Sequence, residues 1–410
     1  MRISSSQLYS LNVSMMNDQQ AQIAQLYQQV ASGVSLTTPA DNPLAAAQAV
    51  QLTATSATLA QYTSNQSTVL TSLQTESSTL TSVSDALNAA YQTIMHAGDG
   101  GLSDSDRAAL AAQLQGSRDH LLTLANTTDG AGNYVFAGFQ PTTAPFANKA
   151  GGGVNYSGDY GSRVVQIADT NTVSQGDNGA SVFLSVPFLG SLPVPAAAAS
   201  NTGTGTVGAV SITNPSDPTN AHQFTITFGG TAAAPTYTVT DNTVQPPTTS
   251  AAQPYSSGQG INLGGQTVAV SGTPAAGDQF TVTPAPQSGA DVFATLDTAI
   301  AALKAPVGNS PTASTALSNA MATASTKLMN TLTNVLTVQA SVGGRMQEVK
   351  AIQSVTSTNS LQAANSLSNL TDTNLPAAIS QFLQLQNSLS AAQKAFVQMQ
   401  NLSLFQYLNP

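Results

Sequence analysis

Apolar residues recur on a seven-residue pattern near both ends of this chain, and that repetition restricts its fold more than any other feature. Leu59, Tyr62, Val69, Leu73, Leu80, Val83, Leu87, Ala90 and Ile94 follow alternating steps of three and four, with Gln66 and Glu76 filling the two gaps. Such steps keep one face of an α-helix in register over about five heptads. Leu328, Leu332, Val335, Val338, Val342, Met346 and Val349 form a second seam. Leu375, Ile379, Phe382, Leu385, Leu389, Ala392, Phe396 and Met399 form a third. Near the start, Leu8, Leu11 and Met15, then Ile23, Leu26 and Val30, make a weaker stripe with a break between its halves. Burying one such side chain fully is worth roughly 1.5–3 kcal/mol, and no helix can bury its own seam. The N-terminal helices therefore need partners. The economical partners are the C-terminal helices, which brings the two chain ends together.

Between the seams the pattern changes. Ser103-Asp104-Ser105-Asp106 reads as a helix start, with Ser103 as N-cap and Asp106 in the first turn, and Leu110, Leu114, Leu121 and Leu124 carry that helix. The middle, 133–290, is crowded with Gly, Pro, Thr and Val. Val164, Val165 and Ile167 form a short apolar run, whereas Phe224, Ile226 and Phe228 alternate strictly, as do Tyr237 and Val239, Val268 and Val270, and Phe280 and Val282. Short alternating strands between turn signals predict a sandwich-like β domain. Residues 190–220 and 241–260, rich in Ala, Pro, Ser and Thr, are expected to be exposed loops. The fold class is α+β: long N- and C-terminal helices packed together as a coiled coil or helical bundle, with a β-rich central domain inserted. The expected division is 1–45 with 366–410 as a terminal coiled coil, 46–132 with 291–365 as a helical bundle, and 133–290 as the insertion, itself divisible near 190.

Composition narrows the function. Only 7% of residues are Asp, Glu, Lys or Arg, against about 25% in ordinary globular domains. A surface kept wet by neutral groups suits repeated subunit packing, because few charges are desolvated at each contact. Hydrophobic residues make up 41%, too many for disorder by composition. The net charge is -9 and the basic residues are scattered from Arg2 to Lys394, which argues against nucleic acid, whose phosphates are held largely by Lys and Arg. With no Cys, disulfides, zinc–thiolate sites and cysteine nucleophiles are excluded. No stretch reaches the ~18 uninterrupted apolar residues of a membrane span. Met1 to Gln20 lacks the charged and apolar regions of a signal peptide, so export requires a leaderless route.

The residues that carry chemistry elsewhere form no site in this sequence. His96, His120 and His222 read as solvated or helix-flanking, since zinc wants three or four converging ligands. Asp99, Asp104 and Asp106 resemble a fragment of a calcium loop that no glutamate closes. Helix capping accounts for Asp104 and Asp106. Gly151, Gly152 and Gly153, like Gly98, Gly100 and Gly101, precede no Lys-Ser/Thr and read as loops. No Gly-x-Ser-x-Gly occurs, and charged residues are too sparse to nominate an acid–base pair. The reading has no catalytic, cofactor or metal residue and is that of a structural protein, not an enzyme.

The seams at 59–94 and 328–349 are expected to close inside the molecule. The outermost helices, near 1–35 and 375–403, form only a two-helix coiled coil on their own, so neighbouring subunits are expected to finish their faces. The predicted assembly interface is Leu8, Leu11, Met15, Ile23, Leu26, Val30, Leu375, Ile379, Phe382, Leu385, Leu389, Phe396, Met399, Leu402, Leu404 and Phe405.

Several motifs point in the same direction. QLYQQVASGVSLTTPADNPLAAAQAV (25–50) holds an Ala-Ser-Gly followed by an Asp-x-Pro, with Asn42 as the middle residue. The chain begins MRIS, carries GNYVFAGF at 132–139 and VSGTPAAGDQFTVTP at 270–284, and has LSNLTDTNLPAAISQFLQLQNSLSAAQKAFVQMQNLSLFQYL at 367–408. On these residues it resembles the bacterial flagellin family, and within it the branch at the hook–filament junction more than filament flagellin. Gln406 stands where an acidic residue is usual. The resemblance implies helical ends packed together, an outward-projecting β-rich insertion and no cofactor. It also implies an extracellular flagellar subunit, exported through the flagellar type III apparatus with a cytoplasmic chaperone on its C-terminal region. Its partners would be further copies in a ring, the first hook-associated protein and flagellin, with no nucleic acid and no membrane. Filament flagellin and a secreted surface-binding or adhesin module remain the alternatives.

Overall fold

Long helices carry both ends of the chain, as the seams predict. The computed structural model describes residues 5–98 and 101–408, leaving aside the side chains of 5, 6, 8 and 400–408. Helix α1 is Ser5–Ser32, α2 Pro43–Ala97 and α3 Asp104–Ala125. The middle region holds β1 (Phe146–Asn148), β2 (Val154–Tyr156), β3 (Val164–Gln166), β4 (Thr172–Ser174) and a short helix, α4 (Gly179–Phe183). There follow β5 (Val194–Ala197), β6 (Thr206–Ile212), β7 (Phe224–Thr231), β8 (Ala234–Asp241) and β9 (Thr248–Thr249). The last strands are β10 (Gln253–Pro254), β11 (Gly260–Asn262), β12 (Gln266–Ser271) and β13 (Gln279–Thr283). Helices α5 (Val292–Lys304), α6 (Pro311–Thr371) and α7 (Leu375–Leu408) complete the chain.

Local chemistry sets the helix starts. Ser103 and Asp106 form a reciprocal capping box at α3, as expected. Asn42 caps α2: its Oδ1 accepts from the Ala45 N–H at 3.1 Å, and Pro43 takes the first helical position, where no N–H is needed. Asn374 starts α7 in the same way, accepting from the Ala377 N–H at 3.3 Å.

Two compact units result: Met1–Ser64 with Ile352–Pro410, and Asn65–Ala351. Both dividing points fall inside a long helix, α2 or α6, inward of 45 and 366. In the second unit the α2 seam is fully buried at Val69, Leu73, Leu80, Val83, Leu87, Ala90 and Ile94, and the α6 seam at Leu328, Val335, Val342 and Val349. Leu114 and Leu121 of α3 and Phe293, Leu296 and Ile300 of α5 are buried as well. Phe136, Phe146, Phe183 and Phe293 stack edge-on or tilted at 5.4–5.9 Å between successive ring centres. Into this core α3 sends Arg118, whose guanidinium lies 5.8 Å from the Phe293 ring centre. It donates to both Asp297 oxygens at 2.9 and 3.1 Å and to Asn148 Oδ1 at 2.5 Å. The Gly153 N–H donates to the same Asp297 carboxylate at 2.8 Å. That loop needs glycine: φ is +75°, and a Cβ would sit 2.6 Å from Asp291 Oδ2.

The GNYVFAGF segment is the turn out of α3. Asp129 Oδ1 accepts from the Ala131 and Asn133 N–H groups, and Phe136 plugs the aromatic cluster. The Tyr156 hydroxyl donates to the carbonyls of Phe136 and Asp159 at 3.1 and 2.8 Å.

Beyond it stands the expected sandwich. A six-stranded sheet runs β10-β8-β7-β13-β5, with β9 also on β8, and a three-stranded sheet runs β11-β12-β6. Phe224, Ile226, Phe228, Phe280 and Val282 of the first meet Val207, Val210, Val268 and Val270 of the second in one buried cluster. One expectation fails here. Residues 190–220 and 241–260 are not wholly loops, because they supply β5, β6, β9 and β10 and the buried Tyr255. Their strands are short or built of Ala, Gly and Pro, which hides the alternation, and Pro195 is tolerated because β5 is an edge strand. The short apolar run at 164–167 turns only part of itself inward: Ile167 is buried and Val164 is 59% exposed.

Candidate assembly interface

Helices α1 and α7 lie antiparallel. Tyr9 packs on Phe396 and Tyr27 on Phe382, with ring centres 5.1 and 6.5 Å apart, and Gln19 Nε2 donates to Ser388 Oγ between them. The turn beyond α1 is clipped to the α6–α7 junction. The Ser35 N–H donates to the Thr371 carbonyl at 2.7 Å and the Thr373 N–H to the Gly33 carbonyl at 2.9 Å. Gly33 takes a φ of +72° to make that turn.

The α7 seam runs Ala378, Phe382, Leu385, Leu389, Ala392, Phe396 in steps of four and three, all buried or half-buried. On α1 the half-buried line is Met16, Gln19, Ile23, Leu26 and Val30. The break read from the sequence is therefore filled, by Met16 and by a glutamine that finds a polar partner. Leu11 and Met15 turn away from the seam and are 54% and 53% exposed. Leu375, Ile379 and Leu383 form a second stripe on α7, with exposures of 43–52%, and Val397 and Met399 are similarly open. The expected interface residues thus separate into a seam closed within the chain (Ile23, Leu26, Val30, Phe382, Leu385, Leu389 and Phe396) and an open set (Leu11, Met15, Leu375, Ile379 and Met399). The side chains of Leu8, Leu402, Leu404 and Phe405 lie outside the described residues.

Sequence reasoning nominated no ionisable cluster, yet one is buried in the second unit. Glu76, wholly inside on the α2 seam, accepts from the Asp177 N–H at 3.0 Å. Asp177 is ion-paired with Arg345 of α6. Burial, and then the Asp177 carboxylate, push the Glu76 pKa up to about 8, against the pull of the Asp177 N–H and Arg345. The shift favours the protonated acid over the carboxylate at neutral pH. Its place in an apolar heptad seam was the available signal. His222 is likewise not simply solvated: Nδ1 lies 2.6 Å from Asp241 Oδ2. Among the described residues, no three His, Cys, Asp or Glu side chains are grouped to hold a metal ion. No described helix is long and apolar enough to cross a membrane.

Helical ends folded back on one another around a β insertion, with an apolar stripe left open along the outer pair, define a flagellin-type subunit. Residues 3–141 match the bacterial flagellin N-terminal helical region. Across 406 residues the sequence is 31% identical to flagellar hook-associated protein 3 of Salmonella typhimurium, covering 99% of each chain. The fold is similar to FlgL of Xanthomonas campestris, with 29% identity, a TM-score of 0.67 and coverage of 76% of this chain and 98% of that one. It is also similar to hook-associated protein 3 of Legionella pneumophila, with 25% identity, a TM-score of 0.70 and coverage of 78% and 98%. The chain belongs to the flagellar hook-associated protein 3 family, a family of structural components of the bacterial flagellum.

Proposed function

We propose that the chain is a non-enzymatic subunit of the extracellular hook–filament junction that forms a ring through the outer faces of α1 and α7. One observation carries the reading: Leu375, Ile379 and Leu383 lie in one open stripe on a helix pair whose own seam is only half-buried. A two-helix pair of this kind is marginal alone, and contiguous apolar surface of this kind marks a protein contact. Residues 1–45 and 366–410 act as the assembling region in this reading, with 46–132 and 291–365 as the supporting bundle and 133–290 facing outward. Export through the flagellar type III apparatus, a chaperone on the C-terminal region, and contacts to the first hook-associated protein and to flagellin belong to the same proposal.

Electron microscopy of cells lacking the gene, with flagellin assayed in the medium, tests it. Hooks without filaments and abundant free flagellin outside are expected. The same hooks without free flagellin would make the chain the filament subunit. Normal filaments would reject both and favour a surface-binding module.

A further inference from the structure

The larger β sheet opens at β5 onto a groove that the assembly role does not use. Strand β5 ends that sheet: it pairs with β13 on one side, and among the described residues no strand is hydrogen-bonded to its other side. In an antiparallel pair, alternate residues turn their N–H and C=O toward the partner strand and away from it. The Ala198 N–H donates to the Gln279 carbonyl of β13 at 3.0 Å, and Ala196 stands opposite Thr281. Pro195 and Ala197 therefore direct their backbone outward. Pro195 has no N–H, and its carbonyl accepts from Thr323 Oγ1 on α6 at 2.7 Å. Nearby, Asn319 satisfies the Val207 N–H at 2.9 Å and the Gly205 carbonyl at 3.0 Å. Ala197 has no such side chain: its outward N–H and C=O are left unpaired among the described residues.

A cavity of about 550 Å³ adjoins this edge, between β5, α5 and α6. Its walls are mostly Ala, Gly and Thr, including Gly203, Thr298, Ala316 and Ala320, small enough for another backbone to approach β5 at strand spacing, about 4.8 Å. Along α6 it runs from Thr312 to Lys327, about 22 Å at the helical rise. That is the length of some six or seven extended residues, at about 3.3 Å each. Lys327 stands at one end, partly buried. Among the described residues its ammonium makes no hydrogen bond and no ion pair. Burial holds its pKa below the usual lysine range, although the Asp291 charge favours the cation.

We propose that this groove binds an extended segment of a partner protein, rich in small side chains, which pairs with Ala197 of β5 and sets a carboxylate against Lys327. The open backbone of Ala197 supplies one strand-type pair, the narrow walls select small residues, and the partly buried Lys327, opposite in charge to the wall's Asp291, supplies the group a carboxylate can meet. The site is built wholly within Asn65–Ala351 and stands or falls separately from the ring.

Fluorescence anisotropy on the full-length protein tests it with two labelled, C-terminally amidated peptides, Thr-Ala-Thr-Ala-Thr-Asp and the same peptide ending in Asn. The Asp peptide should saturate the protein and the Asn peptide should bind about tenfold more weakly, as for loss of one charge-assisted hydrogen bond. Lys327→Met should erase that difference, and Ala320→Phe, which fills the groove, should abolish both. Failure of the Asp peptide to saturate by millimolar concentration, or equal binding of the two peptides to the wild type, overturns the proposal. So does undiminished binding to an Ala320→Phe protein with a wild-type circular dichroism melt. Self-association of the free protein that Ala320→Phe removes would assign the groove to a second copy instead and equally refute the partner segment.

Discussion

Glu76→Gln isolates the one buried acid on the α2 seam. In the wild type the folded chain holds the Glu76 proton up to about pH 8, while an unfolded glutamate releases it near 4.5. Between those values the folded state binds more protons than the unfolded one, so stability falls as pH rises through this window and levels off above it. At about 1.4 kcal/mol per pKa unit, the displacement sets a ceiling of about 5 kcal/mol on the loss. The glutamine keeps the shape and cannot ionise, so the difference between the two proteins removes every other titrating group. Urea unfolding at pH 5, 7 and 9 should show the variant gaining on the wild type by several kcal/mol as pH rises. Glu76 and Glu348 are the chain's glutamates, so selective ¹³C labelling of the glutamate carboxyls gives two signals, and Glu348→Gln identifies the one that belongs to Glu76. A Glu76 carboxyl that titrates near 4.5 in the folded protein, or a difference between the proteins that does not change with pH, would refute the reasoning.

Arg118→Leu should destabilise by about 2–3 kcal/mol in urea unfolding, because it leaves the half-buried Asp297 carboxylate without its ion-pair partner and only the Gly153 N–H to hold it. Asn330→Ala removes a side chain that holds both the N–H and the carbonyl of Leu192, at 2.8 and 2.7 Å. A loss of about 2 kcal/mol is expected, with faster hydrogen exchange at the Leu192 amide. Ser103→Ala opens the capping box and should cost about 1 kcal/mol, while Ser103→Asp should restore most of it in the same thermal melts.

What was legible in the sequence was what periodicity and capping encode. The α2 and α6 seams inside the second unit, the α7 seam from Phe382 to Phe396, the Ser103 cap and the alternating strands at Phe224–Phe228 and Phe280–Val282 stand where the pattern puts them. The polar ladder on α6 was not legible. Asn319, Asn330 and Asn334 are buried, and each holds backbone more than 100 residues away in sequence. Nothing local marks an asparagine on a helix as a clamp for distant carbonyls and N–H groups. Strand β5 was hidden for the converse reason, since Val-Pro-Ala-Ala gains its strand identity only from pairing with β13.

The α2 seam also shows why the helical ends need more than each other. Its line continues toward the N-terminus through Leu52, Ser56, Leu59 and Tyr62, but those residues are only half-buried, and complete burial begins at Gln66. The heptad spacing does not change there. What changes is the company: Asn65 and Gln66 donate to the carbonyls of Gln166 and Ile167, at 2.7 and 2.8 Å, where the middle region first reaches the helix. From that point α3, α5 and the β1–β4 segment cover what the two seams leave open. Below it the chain supplies no such cover, while the exposed apolar residues continue through Leu44, Val50, Val355 and Leu361. The same repeat therefore makes a finished core in one unit and an unfinished face in the other. In the proposed ring that face adds to the α1–α7 stripe that one copy offers to the next.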